Sequence, residues 1–113
     1  MHELYGTQAI LEKALAKAGE QKAKRITNLY IVVGEISTYS EESVQFYWNE
    51  ICKGTIAENA KLHFRPVPAE MQCMACFTKY HPPDGEIVCP NCGSAGAKIV
   101  AGEEFYMEAL DVE

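Results

Sequence analysis

The sequence predicts an α+β protein: two helices packed on a small sheet of about three strands, with a zinc-ribbon-like module inserted before the last strand. Three observations carry this prediction. Apolar residues recur at helical spacing in two stretches, β-branched and aromatic runs lie between and after them, and the composition turns abruptly to cysteine, proline and glycine over residues 70–98. Residues 1–69 and 99–113 are expected to share one α+β layer, and 70–98 to project from it on two short linkers.

The first helix is expected from Leu4 to about Gly19. Leu4, Ile10, Leu11, Ala14, Leu15 and Ala18 form its apolar stripe, and Glu12, Lys13, Lys17 and Glu20 its wet face. Gly6 weakens the first turn by about 1 kcal/mol relative to alanine, so the start can slip to Thr7 as an N-cap. Ile26 to Val33 reads as a strand broken by Gly34. Ser40 caps a second helix with Glu41 and Glu42 in its first turn, and Val44, Trp48, Ile51 and Cys52 form its stripe before Gly54 ends it. Tyr47 and Trp48 read as core. Leu62, Phe64 and Pro66 alternate with His63, Arg65 and Val67, a strand that its prolines confine to an edge, with His63 exposed. The last strand alternates Phe105, Met107 and Ala109 against Tyr106, Glu108 and Leu110, and it needs the first unit for partners.

Within the inserted stretch, Cys73 and Cys76 form one C-x-x-C pair, Cys89 and Cys92 a second, and twelve residues separate the pairs. Each pair sets two thiolates on one tight turn, and folding the segment back as a hairpin brings four sulfurs to the corners of a tetrahedron suited to Zn²⁺. Four thiolates leave no open position, so the site holds shape and does no chemistry. In the second pair Pro90 fixes φ and Gly93 can take φ > 0, which turns backbone N–H groups toward the sulfurs; in the first pair Phe77 stands where Gly93 does. Iron is the competing ion, because ligand type and geometry do not separate it from zinc. Two disulfides would fit the even count of four, but no secretory signal opens the sequence, and neither pair has the helix-start setting of a redox motif. His81, inside the hairpin, could replace a cysteine but reads as a loop residue, and Cys52 as a small buried hydrophobe.

The composition is 48% hydrophobic and 23% charged over 113 residues, enough for one modest core supplemented by metal. A net charge of −6 argues against a nucleic-acid surface. Lys13, Lys17, Lys22, Lys24 and Arg25, half of the ten basic residues, gather in and after the first helix as a solvated face or a docking surface for an acidic partner. No apolar run approaches membrane-spanning length, and reduced, metal-binding cysteines point to the cytoplasm. Neither paired carboxylates, a nucleophile with its base nor a phosphate loop stands out, so no catalytic residue is assigned and the protein is not expected to be an enzyme.

The opening Met1-His2-Glu3 carries the remaining chemistry. His2 can close a chelate with the free amine of Met1 and the backbone nitrogens of His2 and Glu3, and such a near-planar nitrogen set suits Ni²⁺ or Cu²⁺ over Zn²⁺. A mobile terminal histidine is the plainer reading of the same residues. Glu35 could orient that site as an outer carboxylate, but it reads more readily as a corner residue.

Met1-His2-Glu3-Leu4 opening a helix, Val33-Gly34-Glu35-Ile36 closing a strand, Lys53-Gly54-Thr55 ending the second helix, and the Cys73/Cys76/Cys89/Cys92 set together resemble the HypA/HybF family of hydrogenase nickel-incorporation proteins, across essentially the whole chain. The resemblance implies a nickel metallochaperone. Its Ni²⁺ site uses His2 and the backbone around it, and its structural Zn²⁺ module uses the four cysteines. It also implies work with a HypB-type nickel-handling GTPase and the large subunit of [NiFe] hydrogenase, and for some members with urease maturation proteins. A monomer or homodimer is expected, with no nucleic acid or membrane partner. Ile36-Ser37-Thr38 and Tyr5-Gly6 depart from the family's usual residues, which bears on partner choice and local helix geometry. The rival is a zinc-ribbon adaptor that binds protein and owes nothing to nickel.

Overall fold

A computed structural model describes residues 2–82 and 87–113, with the side chain of His2 outside the description. The elements run α1 (His2–Glu20), β1 (Ile26–Gly34), α2 (Glu41–Ile51), β2 (Lys61–Val67), β3 (Glu70–Cys73), β4 (Lys79–Tyr80), β5 (Ala97–Ala101) and β6 (Phe105–Val112). The α+β expectation holds, with two helices and a three-stranded sheet ordered β2-β1-β6, plus a second three-stranded sheet ordered β4-β3-β5.

In the first sheet β2 runs parallel to β1 and β6 antiparallel to it, so the chain's last strand does return to its first. Pro66 lacks an N–H but lies on β2, an edge strand with one free side, where that loss is tolerated. Leu29, Ile31 and Val33 project from β1 into one core with Ile10, Leu11, Ala14 and Ala18 of α1 and Val44 and Trp48 of α2. Both helices therefore cover the same face. Ser40 caps α2 as expected: its side chain accepts from the Ser43 N–H at 3.1 Å. Thr7 is not a cap. It is fully buried within α1, and its hydroxyl donates to the Glu3 carbonyl at 2.7 Å.

On the opposite face Tyr30 stacks on His63 with centroids 4.8 Å apart, and Asn28 Oδ1 lies 2.9 Å from His63 Nε2, so His63 is half-buried where exposure was expected. Arg65 reaches across β1 to Glu108 at 3.0 Å, over the fully buried Val32. The simple alternation expected for the last strand fails after Met107. A register shift between Tyr30 and Ile31 changes the phase, so Leu110 packs on the core and Ala109 is exposed.

The second sheet has its own small core of Met71, Cys73, Tyr80 and Cys89. It extends further than composition suggests: β5 pairs with β3 as far as Ala101, which takes in residues 99–101 that the sequence assigned to the first unit. The shift away from cysteine and glycine marks the end of the metal turns and not the end of the sheet.

The two units join where the end of β1 meets both linkers. The Gly34 N–H donates to the Glu104 carbonyl, the Glu35 N–H to Val67 and the Ile36 N–H to Gly102, at 2.7 to 2.8 Å. Glu35 Oε2 accepts from the Ala69 N–H at 3.1 Å, and His81 Nδ1 lies 2.9 Å from the Ala69 carbonyl, so that nitrogen carries the proton. Backbones pass so closely here that a β-carbon on Gly34 would sit 2.7 Å from the Glu103 nitrogen.

Candidate metal centre

Cys73 ends β3, Cys76 closes the turn after it, and Cys89 and Cys92 come from the turn before β5. Among the described residues these four are the one group of histidine, cysteine and carboxylate side chains placed to hold a metal ion, with all sulfurs within 4.8 Å of one another. Cys73 Sγ lies 3.5 Å from Cys92 Sγ, and Cys76 Sγ 3.6 Å from Cys89 Sγ. A disulfide needs about 2.05 Å, and the cysteines are free. A tetrahedral zinc thiolate, with Zn–S near 2.3 Å, sets its sulfurs about 3.8 Å apart. The spacing fits.

The turns prepare the sulfurs for negative charge. Cys73 Sγ accepts from the N–H groups of Ala75 and Cys76 at 3.3 and 3.4 Å, and Cys89 Sγ from Asn91 at 3.4 Å. In each knuckle the residue after the second cysteine, Phe77 or Gly93, donates its N–H to the carbonyl of the first at 2.9 Å. Hydrogen bonding to Thr78 and then to Asn91 draws the Cys76 thiol down to about 5, and the N–H groups of Cys76 and Ala75 lower Cys73. Cys92 goes the other way. The Ser94 backbone pulls it down, but Cys73, Cys76 and Cys89 together with desolvation push it up to about 12. Four sulfurs at this distance compete for negative charge, and a divalent cation is the partner that lets all four be thiolates. Zn²⁺ held by Cys73, Cys76, Cys89 and Cys92 would supply a rigid cross-link of the two turns.

His81 is no member of the set, since it is tied to the Ala69 carbonyl on the linker. Cys52 lies in the other core, 2% exposed, with its thiol directed at the Glu58 carbonyl and its pKa raised by desolvation.

The amine of Met1 and the side chain of His2 lie outside the described residues. The backbone of His2 and Glu3 forms the first turn of α1, where N–H groups have no partner within the helix. These are the amide nitrogens the chelate would take, and taking them breaks no helical hydrogen bond. Glu35, at the other end of the same question, is engaged with Ala69. Tyr39 packs against Gly6, one turn after His2; an aromatic in a loop gave no signal of that contact in the sequence.

A helix-and-sheet unit joined through a clasped linker to a four-thiolate module defines a small α+β metal-binding protein. Residues 1–112 match the family model described as "Hydrogenase/urease nickel incorporation, metallochaperone, hypA". The chain is 35% identical over 113 residues to the hydrogenase maturation factor HypA of Dehalococcoides mccartyi strain 195, covering all of this chain and 95% of that one. It is 36% identical over 114 residues to the HypA of Caldanaerobacter subterraneus subsp. tengcongensis, with both chains fully covered. The chain belongs to the HypA family of nickel metallochaperones for hydrogenase maturation. Its fold matches the solution structure of the nickel metallochaperone HypA from Helicobacter pylori with a TM-score of 0.71 at 19% identity, covering 97% of this chain and 96% of that one. A second solution structure of a HypA protein matches at 0.76 and 20% identity, covering 100% and 97%.

Proposed function

We propose that this protein takes up Ni²⁺ at its N-terminus, through His2, the Met1 amine and the backbone nitrogens of His2 and Glu3, and hands it to an apo-hydrogenase by ligand exchange. The observation that carries this reading is the position of His2 at the start of α1, where amide nitrogens are unclaimed by the helix, in a chain whose whole length follows the nickel-incorporation family. A planar nitrogen set exposed at a terminus is open to axial attack, so an acceptor can displace its ligands one at a time. Handover needs no covalent step, and the protein acts as a carrier and not as an enzyme.

The four-cysteine module, held by zinc, supplies a rigid partner-facing surface. Its partners are a HypB-type nickel-handling GTPase and the hydrogenase large subunit, with urease maturation proteins as further recipients, in the cytoplasm. Among the described residues no helix is long and apolar enough to cross a membrane, which suits that setting.

The test is metal analysis and nickel titration on untagged protein purified without chelator, beside His2→Ala. One tightly held zinc is expected, colourless where ferric iron would be red. One nickel should add with the absorption of a planar complex, and it should be lost on acidification as amine and imidazole regain protons. Unchanged stoichiometry and spectrum in His2→Ala would sink the terminal site.

A further inference from the structure

Gly6 lies one turn after His2 on the same face of α1, and the side chain of Tyr39 occupies the space a β-carbon on Gly6 would need. Such a carbon would run into the Tyr39 hydroxyl and lie 2.6 Å from Cε1 and Cζ. One face of the ring is covered by Phe105, stacked at 3.7 Å between centroids and 5° between planes. The loop that presents Tyr39 is fixed at several points. Ser37 Oγ bonds both the N–H and the carbonyl of Tyr39 at 3.3 Å, the Ile36 N–H donates to Gly102, and Ser40 caps α2.

From this geometry we propose that Tyr39 is a positioning residue for the N-terminal nickel site, a wedge between Phe105 and Gly6 that sets where the first turn of α1 stands against the end of the sheet. The inference rests on the nickel reading given above and adds a residue to it. Glycine in a helix interior loses about 1 kcal/mol to alanine, so its use in the first turns needs a compensating contact, and the tyrosine is that contact. Phe105 begins β6 just beyond Gly102, whose carbonyl accepts from Ile36 and which lies against Ala69 of the other linker. The wedge therefore sets the first turns of α1 against the start of β6, next to the linker that leads there from the zinc module.

The test titrates Ni²⁺ into untagged, zinc-loaded protein, following heat and the visible absorption of the nickel complex. Tyr39→Ala is expected to weaken nickel binding about tenfold, the scale seen when a ligand's supporting partner is removed, with zinc content unchanged. Gly6→Ala attacks the same contact from the helix side. It should reproduce the loss and lower the melting temperature, although alanine is the better helix former. A purely structural tyrosine would change melting temperature and leave nickel affinity and spectrum alone. Wild-type binding with unaltered affinity in both Tyr39→Ala and Gly6→Ala overturns the role of Tyr39; wild-type protein that takes no nickel overturns the function reading itself.

Discussion

Phe77 and Gly93 hold equivalent places in the two metal turns. Each follows the second cysteine of its pair, each donates its N–H to the carbonyl of the first cysteine at 2.9 Å, and each has positive φ, 63° and 76°. For glycine that conformation is free; for a residue with a β-carbon it costs about 1 kcal/mol or more. The Phe77 side chain recovers little by packing, being 67% exposed. Phe77→Gly is therefore expected to stabilise the zinc-loaded module by about 1 kcal/mol, read as roughly fivefold greater resistance to a competing chelator. Gly93→Ala should shift the same competition the other way. An unchanged midpoint in both variants would show that the knuckles are not conformationally strained.

The metal turns were legible in the sequence because their signal is local: spacing, a proline and a glycine suffice. Helix stripes and the Ser40 cap were legible for the same reason. What escaped depended on partners distant in sequence. Gly6 reads as a weak helix position and is in fact a notch for Tyr39, 33 residues away along the chain. Ala109 and Leu110 exchange faces because of a register shift against β1, which strict alternation cannot show. β5 went unread because Ala97–Ala101 is a short strand whose partner, β3, lies on the other side of the metal hairpin.

The junction between the units gives a second expectation. Gly34→Ala would push a β-carbon against the Gly102 carbonyl and to 2.7 Å from the Glu103 nitrogen, both backbone atoms with little freedom to move. A destabilisation of about 2 kcal/mol is expected, in the range of overpacked cores. Glu35→Ala leaves the amide of the buried Ala69 without its 3.1 Å partner and should cost about 1 kcal/mol or more. Denaturant titrations read both, and amide shifts that change around residues 67–69 and 102–104 would locate the effect.

The C-terminus is tied down by Arg25, whose Nε and Nη2 donate to Glu113 at 2.8 and 2.9 Å, while the Lys24 N–H donates to the Glu113 carbonyl at 2.7 Å. Hydrogen bonding to Arg25, then its charge, holds the Glu113 carboxyl below its usual 4.5. A carboxyl lowered by folding stabilises the fold above its unfolded pKa, and that contribution disappears as pH falls through the lower folded value. The pair is exposed, so salt should weaken it. Arg25→Gln should move the Glu113 titration midpoint upward toward 4.5, visible in carboxyl NMR shifts, with no effect on stability at neutral pH beyond the scatter of surface variants.

Zinc removal should separate the two units. The second core consists of Met71, Cys73, Tyr80 and Cys89, with Cys76 and Ala97 against it, so half of its six members are the metal's own ligands. Without a cation those thiols lose their cross-link, and the remaining apolar area is too small to hold a sheet. The first core contains none of these residues and buries Trp48, the single tryptophan, to 1% exposure. Chelation is therefore expected to collapse the amide dispersion of residues 71–80 and 97–101 while Trp48 fluorescence keeps its buried, blue-shifted emission. Subsequent denaturant should then unfold the α+β unit in one transition reported by Trp48. A red shift of Trp48 on chelation alone would mean that the clasp at Gly34, Glu35 and Ala69 couples the units so tightly that zinc holds the whole chain together.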